Sequence, residues 1–426
     1  MGSRNEQKRF LLPCLLSCFI AVFTLLSLWN SHKAISVVPA VTFPAYRPGS
    51  NWARDQADDF PALTRKDASR QLPRLPEPVC LTETCLVEVA QSVARSFPER
   101  PKESWCIHTE TRGENSFQDD MWQGLLLVKV PKAASSTAAG LALRIGNRTQ
   151  CATQWEHREG INYANRSKKS FLFGSVRRPA SRNLSSVWFF MIAPLDIEPT
   201  DNNIIRSLHT HRGGKTKGKG GFQFVYLSLE PIEARSVWTP HSPSYVIDPR
   251  ALYGKIQRLL ESYDFMMVVE RMDESLTAMA LLTGLSLVDV LVTSSKVAGG
   301  YLLVRVGKDA GQCRRQLKGP MSEGVKNYTE SDEWLAMNYA DEILFRAANA
   351  SLDRTIEQLG RERFERKLQE FRQLKERVLE MCGDRLGFGC TDQGEVLEEE
   401  QCYLRDFGCG YSCVDSVVDR DAKDDS

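Results

Sequence analysis

The sequence predicts an α/β fold with a central parallel β-sheet flanked by helices. Three short runs of branched and aromatic apolar residues are typical of buried strands: LLLVKV (Leu125–Val130), SFLFGSV (Ser170–Val176) and YDFMMVV (Tyr263–Val269). A helix-like segment follows each of them, and strands that alternate with helices favour a parallel sheet with right-handed crossovers. The chain has 426 residues, of which 42% are hydrophobic, and this is enough for a large core.

The overall charge of the chain is close to neutral. Lys and Arg together number 55 and Asp and Glu number 54, which gives a formal net charge of +1. Such a chain has no general electrostatic attraction to nucleic acid, so no nucleic-acid partner is expected. Any recognition of an anion must come from a local group of basic residues.

The N-terminus predicts a membrane anchor. Residues 10–29 form an apolar run of about the length of a membrane-spanning helix, and basic residues precede it. The segment that follows offers no convincing small-residue cleavage site, so we expect an uncleaved signal anchor with residues 1–9 in the cytoplasm. Residues 30–79 are rich in proline and predict a stem that leads to a lumenal domain over 80–381.

Cysteine usage favours an oxidising compartment. Ten cysteines lie outside the predicted anchor, and an even number suits disulfide pairing. Five N-x-S/T sequons also occur, at Asn147, Asn165, Asn183, Asn327 and Asn349.

The C-terminal segment 382–426 holds five of these cysteines and ends in an acidic tail that we expect to be disordered. The five lack the paired spacing of a zinc site, so disulfides are predicted and no metal is expected. Because five is an odd number, one of them is expected to pair outside the segment, and Cys313 is a natural partner.

The chain from Asp332 to Cys382 predicts helix, with acidic and basic residues interleaved. An apolar seam recurs along it at spacings of four and three, and consists of Phe364, Leu368, Phe371, Leu374, Val378 and Met381. A helix packed on its own domain is the preferred interpretation. A dimerising coiled coil, which would make a homodimer, is the alternative.

A candidate anion site follows the first predicted strand, where PKAASST (residues 131–137) opens a helix. The start of a helix presents unpaired backbone N–H groups and the positive end of the helix dipole. Lys132 adds a positive charge, and Ser135, Ser136 and Thr137 add hydroxyl donors. A capped helix start with a solvated lysine is the structural alternative.

This segment does not fit the loop of nucleoside triphosphatases, which has a lysine followed directly by Ser or Thr. It resembles the 5′-phosphosulfate loop of sulfotransferases, especially the PKTASTS-type loop of the heparan sulfate 2-O-sulfotransferase group. The glycine often found two residues after the lysine is replaced by Ala134. The resemblance implies a P-loop-like sulfotransferase fold and contacts with the donor, 3′-phosphoadenosine 5′-phosphosulfate, from residues 132–137: Lys132, Ala133, Ala134, Ser135, Ser136 and Thr137.

A second signature of that family follows the second predicted strand. The segment SVRRPASRNLSS is similar to the family pattern RDPxxRxxS, with Arg177 and Ser185 eight residues apart and Arg178 in place of the usual Asp. The resemblance implies that Arg177 and Ser185 bind the 3′-phosphate of the donor. A guanidinium can donate two hydrogen bonds to phosphate oxygens. The two motifs together cover roughly residues 122–190, with weaker similarity over 263–276.

Transfer of a sulfuryl group to a hydroxyl needs a cation at the leaving oxygen and a general base for the acceptor. Lys132 is the candidate cation. His157, which lies between the two motifs where related enzymes often carry their base, is the candidate base, and Glu156 is the alternative. His209 and His211 could instead contact the acceptor. The basic, glycine-rich stretch 212–221 is either a lid or a solvated loop.

The resemblance implies a single-pass type II protein of the Golgi membrane, with its catalytic domain in the lumen and a glycan hydroxyl as acceptor. A type II glycosyltransferase is the rival enzyme, but the only DxD motif that could bind its metal is Asp419-Arg-Asp421 in the tail. A membrane-anchored protein that binds sulfated glycans without turnover is the non-enzymatic alternative. The sequon at Asn183 overlaps Ser185, so we predict that Asn183 carries no glycan, whereas Asn327 and Asn349 are better candidates.

Overall fold

A four-stranded, all-parallel β-sheet lies at the centre of the structure, as the sequence predicts. The computed structural model describes residues 81–108, 122–193, 195, 197–210, 221–232, 249–292, 301–303, 311–315, 319, 321–383, 386, 390, 393–396, 402–404 and 408–424. The strands of the central sheet are β1 (Gly124–Val128), β2 (Thr153–Gln154), β3 (Ser170–Val176) and β4 (Phe265–Val268). Their spatial order is β2-β1-β3-β4.

The register of the sheet brings the three predicted strands together. Gly124 pairs with Ser170, and Phe173 pairs with Phe265. Every residue of β1, β3 and β4 is buried, and successive side chains of a strand point to opposite faces. Both faces of the sheet are therefore covered, as expected for a parallel sheet. Strand β2 was not predicted, because it is two residues long and only half-buried.

The helices follow the strands in the predicted alternation. Numbered along the chain, they are α1 (Glu83–Val93), α2 (Ser135–Thr149), α3 (Pro179–Val187), α4 (Asp201–Thr210), α5 (Phe222–Leu227), α6 (Pro249–Ser262), α7 (Met272–Thr283), α8 (Glu323–Thr329), α9 (Asp332–Met337), α10 (Tyr339–Leu359), α11 (Arg361–Cys382) and α12 (Tyr411–Asp424). Two further antiparallel pairs are formed by β5 (Tyr301–Leu303) with β6 (Cys313–Arg315), and by β7 (Cys402–Leu404) with β8 (Gly408–Cys409).

A second, smaller apolar cluster lies beside the main core. Helix α3 continues into a π-helical turn, Trp188–Ile192. Val187 and Ile192 of this segment pack against α4, α8 and α9. The buried members of the cluster are Val187, Ile192, Ile204, Leu208, Val325, Trp334 and Met337. Ser322 and Ser331 cap α8 and α9 by accepting hydrogen bonds from Val325 N and Trp334 N.

The prediction of helix from Asp332 to Cys382 is confirmed, and the segment is divided into the three helices α9, α10 and α11. Gly360 separates the last two with a backbone φ of 85°, a conformation that glycine adopts without strain. The apolar seam of α11 packs into the main core of the same chain, as preferred above. Met381 is the exception, because its side chain is 52% exposed.

The acidic tail was wrongly expected to be disordered. Residues Tyr411–Asp424 form helix α12, and the buried side chains of Val414, Val417 and Val418 belong to the main core. The carboxylate of Asp415 accepts hydrogen bonds from Arg144 and Arg148, at 2.8 Å each, and so fastens α12 to α2. Val417 and Val418 stand three and four residues after Val414, a spacing typical of one face of a helix, which the charge of the tail obscured.

Three disulfides are described, Cys106–Cys151, Cys313–Cys390 and Cys382–Cys413. The second confirms that Cys313 pairs with a cysteine of the C-terminal segment. Cys85 and Cys409 are also disulfide-bonded. Disulfides fit a lumenal or secreted protein. The predicted anchor, residues 10–29, lies outside the described residues, and none of the helices described is long and apolar enough to cross a membrane.

Candidate functional site

Several of the predicted site residues lie at one edge of the central sheet. All four strands are parallel, so their carboxyl ends lie at the same edge. Lys129 directly follows β1, Arg177 directly follows β3, and His157 comes three residues after β2. Glu270 comes two residues after β4. The strand ends of an open parallel sheet are where such folds bind their ligands.

The loop between β1 and α2 has an unusual backbone. Lys132 and Ala134 both adopt left-handed conformations, with φ of 66° and 53°. Ala133 between them is fully buried, and its carbonyl accepts a 2.6 Å hydrogen bond from Ser175 Oγ of β3. Glycine is favoured at a left-handed position because it has no Cβ. This explains physically why a glycine suits the position of Ala134.

Side chains of the loop supply positive charge and hydroxyl groups. Lys132 is half-buried, and its Nζ lies 3.9 Å from the ring centroid of Phe189, which belongs to the π-helical turn after α3. Ser135 and Ser136, in the first turn of α2, are half-buried, whereas Thr137 is buried. The helix therefore begins with small polar side chains and backbone N–H groups at the edge of the sheet.

Arg177 joins the two predicted motifs. Its Nη1 donates a 3.2 Å hydrogen bond to the carbonyl of Lys132, so the first residue after β3 reaches the loop after β1. Burial lowers the pKa of Arg177, and the nearby carboxylate of Glu270 opposes this effect. The guanidinium nevertheless keeps its charge at neutral pH, since an arginine in a protein is not deprotonated. Lys132 and Arg177 together make this edge of the sheet a site that can bind an anion.

Ser185 lies on α3, half-buried. In the described part of the chain, its hydroxyl makes no hydrogen bond to Arg177 or to the loop. Its neighbour Asn183 is engaged: the amide donates to Asn338 Oδ1 at 2.9 Å, and Asn183 Oδ1 accepts from Arg182 at 2.6 Å. An N-glycan would have to use that amide nitrogen, which supports the prediction that Asn183 carries none.

His157 lies at the same edge, anchored to the end of β1. Its Nδ1 is 3.1 Å from the carbonyl oxygen of Lys129. A carbonyl can only accept a hydrogen bond, so Nδ1 carries the proton in the neutral ring and Nε2 is the basic nitrogen. The imidazole is exposed, which suits contact with a substrate. The hydrogen bond thus selects the tautomer that a general base requires.

Glu156, the alternative base, has a partner of its own. Its Oε2 accepts a 2.7 Å hydrogen bond from Arg158, whose guanidinium lies 4.8 Å from the ring centroid of Trp122. This pairing occupies the carboxylate with a cation, whereas His157 is held in a base-competent tautomer. Of the two predicted candidates, the geometry favours His157.

Three residues of this region were missed in the sequence. Glu270 accepts a 2.9 Å hydrogen bond from Arg178 N, and its place just after the third predicted strand was a signal that could have found it. Gln223 and Asp341 are buried behind Arg177. Neither has a sequence signal, because both act through contacts between segments that are far apart in the chain.

The remaining predicted residues lie elsewhere or outside the described ranges. His209 is on α4, where its ring packs 5.1 Å from that of Tyr328 and its Nε2 is 3.7 Å from Glu333. It therefore belongs to the smaller helical cluster. His211 and the basic stretch 212–221 lie outside the described residues, except for Gly221.

Comparisons with known proteins add no relative: no protein-family model, no curated protein and no solved structure matches this chain. Within the described ranges, no group of three or more His, Cys, Asp or Glu side chains could hold a metal ion.

Proposed function

We propose that this chain is a sulfotransferase that uses 3′-phosphoadenosine 5′-phosphosulfate as donor and a glycan hydroxyl as acceptor. The observation that carries the proposal is the contact between the two motifs, the 3.2 Å hydrogen bond from Arg177 to the carbonyl of Lys132. The segments that resemble the family's 5′- and 3′-phosphate signatures are separated by 45 residues in sequence, yet they meet at one strand edge.

Each phosphate-bearing end of the donor has a group to bind it. The loop after β1 offers Lys132, the hydroxyls of Ser135 and Ser136, and the N-terminus of α2 to the 5′-phosphosulfate. Arg177 offers its guanidinium to the 3′-phosphate. Ala133, Ala134 and Thr137, the other residues that the resemblance places at the donor, shape the loop and the first turn of the helix that hold it.

In the proposed transfer step, His157 acts as the general base and Lys132 stabilises the leaving group. The acceptor hydroxyl loses its proton to Nε2 of His157 while its oxygen bonds to sulfur. The bond from sulfur to the bridging phosphate oxygen breaks, and the ammonium of Lys132 stabilises the negative charge that develops on this oxygen. Adenosine 3′,5′-bisphosphate leaves, and His157 returns its proton to solvent. As in phosphoryl transfer, positioning and charge stabilisation are expected to supply most of the rate.

The compartment completes the proposal. Disulfides fit a lumenal or secreted protein, and the sequence places a predicted anchor before the stem. A Golgi membrane protein with a lumenal catalytic domain agrees with both.

Calorimetric binding of adenosine 3′,5′-bisphosphate to the purified full-length chain tests the donor site. We expect micromolar binding by wild type and its loss in Lys132→Ala and Arg177→Ala. The matched control is Lys367→Ala, which removes a partly exposed lysine of α11 that is paired with Glu370, and it should bind like wild type. A folded wild-type chain that does not bind the nucleotide would overturn the proposal.

Transfer itself is tested with radiolabelled donor and a panel of glycan acceptors, with and without a chelator. Label in a glycan product that persists in the chelator supports the proposal. Glycosyl transfer that requires a divalent metal would instead identify the rival glycosyltransferase, although its only DxD residues, Asp419 and Asp421, lie in the C-terminal helix α12. Binding of sulfated glycans with neither nucleotide binding nor transfer would favour the non-enzymatic alternative.

A further inference from the structure

The side chain of Gln223 holds the backbone of Arg177 at two points. Gln223 Oε1 accepts a 2.9 Å hydrogen bond from Arg177 N, and Gln223 Nε2 donates a 2.8 Å hydrogen bond to Arg177 O. Strand pairing between β3 and β4 ends at Val176 with Val268, one residue earlier. The amide of Gln223 therefore replaces the pairing that a neighbouring strand would otherwise give to Arg177.

Gln223 is fixed in turn by a carboxylate from another helix. It is fully buried in the first turn of α5, a helix of six residues with no side-chain cap at its N-terminus. Asp341 of α10 takes the place of the cap: its carboxylate accepts hydrogen bonds from Gln223 N at 3.1 Å and Phe224 N at 2.8 Å. A helix this short depends on such tertiary contacts.

The far end of Arg177 is also held, by its hydrogen bond to the Lys132 carbonyl. The arginine is thus fixed at its backbone by Gln223 and at its guanidinium by the loop. The side-chain amide of Gln223 makes both backbone contacts at once because it carries an acceptor oxygen and a donor nitrogen on one planar, uncharged group.

We propose that Gln223 is a positioning residue that sets the selectivity of the site for a nucleotide bearing a 3′-phosphate. This inference rests on the proposed function, in which Arg177 binds that phosphate. Gln223 does not touch the nucleotide. It orients the residue that does.

The experiment compares the affinity for adenosine 3′,5′-bisphosphate with that for adenosine 5′-phosphate, which lacks the 3′-phosphate. Both are measured by calorimetry on full-length wild type and Gln223→Met, a variant of similar size that loses both hydrogen bonds. We expect the bisphosphate to bind about tenfold more weakly to the variant, the scale of one to two lost hydrogen bonds, and the 5′-phosphate to bind within about twofold of wild type. The ratio of the two affinities should therefore fall about tenfold.

Thr355→Val is the matched control. It removes a buried hydroxyl from α10, the helix that carries Asp341. This hydroxyl accepts a hydrogen bond from Phe97 N and donates one to Ser351 O, so the substitution removes no contact of Gln223 or Arg177. We expect it to lower the unfolding midpoint and to leave the affinity ratio unchanged. If Gln223→Met behaves in the same way, Gln223 has only a structural role and the inference is overturned.

The outcomes separate this inference from the proposed function. If wild type binds neither nucleotide, the proposed function and this inference are both overturned. Wild type that prefers the bisphosphate, together with a variant that keeps the preference, overturns the role of Gln223 alone.

A second measurement needs no variant, and so stands even if Gln223→Met does not fold. Hydrogen–deuterium exchange at single-residue resolution on wild type without nucleotide should show Arg177 N–H exchanging as slowly as the amides of β3. Rapid exchange of this amide would overturn the inference, because the proposed contact protects it.

Discussion

At the scale of single residues, the loop between β1 and α2 concentrates backbone strain and charge. Lys132 and Ala134 are left-handed, although neither is a glycine, and a third left-handed residue, Gln150, ends α2. Strain of this kind persists where the surrounding structure fixes the backbone, and it is common at functional sites. Here the loop backbone is held in place by the burial of Ala133 and by the hydrogen bond that its carbonyl accepts from Ser175.

Ala134→Gly should raise the free energy of unfolding by about 1 kcal/mol, because glycine adopts a left-handed φ without the Cβ penalty. Gln150→Gly is the matched control at the other end of α2, also left-handed but away from the site, and should give a similar gain. Denaturant unfolding measures both. A loss of stability in Ala134→Gly would show that the loop backbone differs from the one described.

Under the proposed function, His157→Ala should lower kcat for sulfuryl transfer by roughly 10²- to 10⁴-fold, because the acceptor hydroxyl would lose its base. Binding of adenosine 3′,5′-bisphosphate should not change, since His157 is assigned to the acceptor. Glu156→Gln is the comparison variant, and it should keep most of the activity because Glu156 is paired with Arg158. The reverse pattern, with His157→Ala active and Glu156→Gln inactive, would move the role of base to Glu156.

At the scale of elements, the short helix α5 depends on a buried carboxylate from α10. Asp341 is 1% exposed and accepts two backbone hydrogen bonds at the start of α5. Burial raises the pKa of Asp341 to about 6, against the opposing effects of those hydrogen bonds and of Arg182. Burial also lowers the pKa of Arg182 to about 10, so Arg182 remains a cation at neutral pH.

This carboxylate makes stability depend on pH. The folded pKa of about 6 exceeds the ordinary value of 3.8, so the folded state holds the proton longer than the unfolded state. The resulting stabilisation is present below pH 4 and is lost as the pH rises to about 6, up to roughly 3 kcal/mol. We therefore expect the unfolding free energy of wild type, measured relative to that of Asp341→Asn, to decrease as the pH rises over this range. A difference that instead grows with pH would mean that the ionised form is the stabilised one.

At the scale of the whole molecule, the parallel sheet brings the residues of the candidate site together. The C-terminal helix packs on the helix that begins at this site. The four strand ends contribute residues from segments more than 100 positions apart, such as Lys132 and Glu270. Helix α12 returns to pack on α2, the helix that begins at the candidate anion site, and Asp415 pairs with the fully buried Arg144 there. The disulfide Cys382–Cys413 links α12 to the end of α11.

Removing this disulfide in the double variant Cys382→Ser, Cys413→Ser should lower the free energy of unfolding by about 3.5 kcal/mol. The estimate follows from the sequence separation of 31 residues and the chain entropy that the cross-link removes from the unfolded state. Guanidinium unfolding of the oxidised wild type and the double variant measures it. A change below about 1 kcal/mol would contradict the prediction, since it would mean that the link hardly constrains the unfolded chain.

Local patterns were sufficient to predict the three longer strands, the helix after PKAASST, the position of the two motifs directly after strands, and the pairing of Cys313 with the C-terminal cysteines. Each of these depends on residues close together in sequence, or on a count. Three contacts were decided by the tertiary structure alone. Asp341 caps α5 although it lies 118 residues from Gln223 in the sequence, and Gln223 contacts Arg177 although the two are 46 residues apart. The third is the packing of α12 on α2. Hydrogen bonds between distant side chains leave no periodic trace in the sequence, because they depend on how remote segments pack and not on the order of residues along either one.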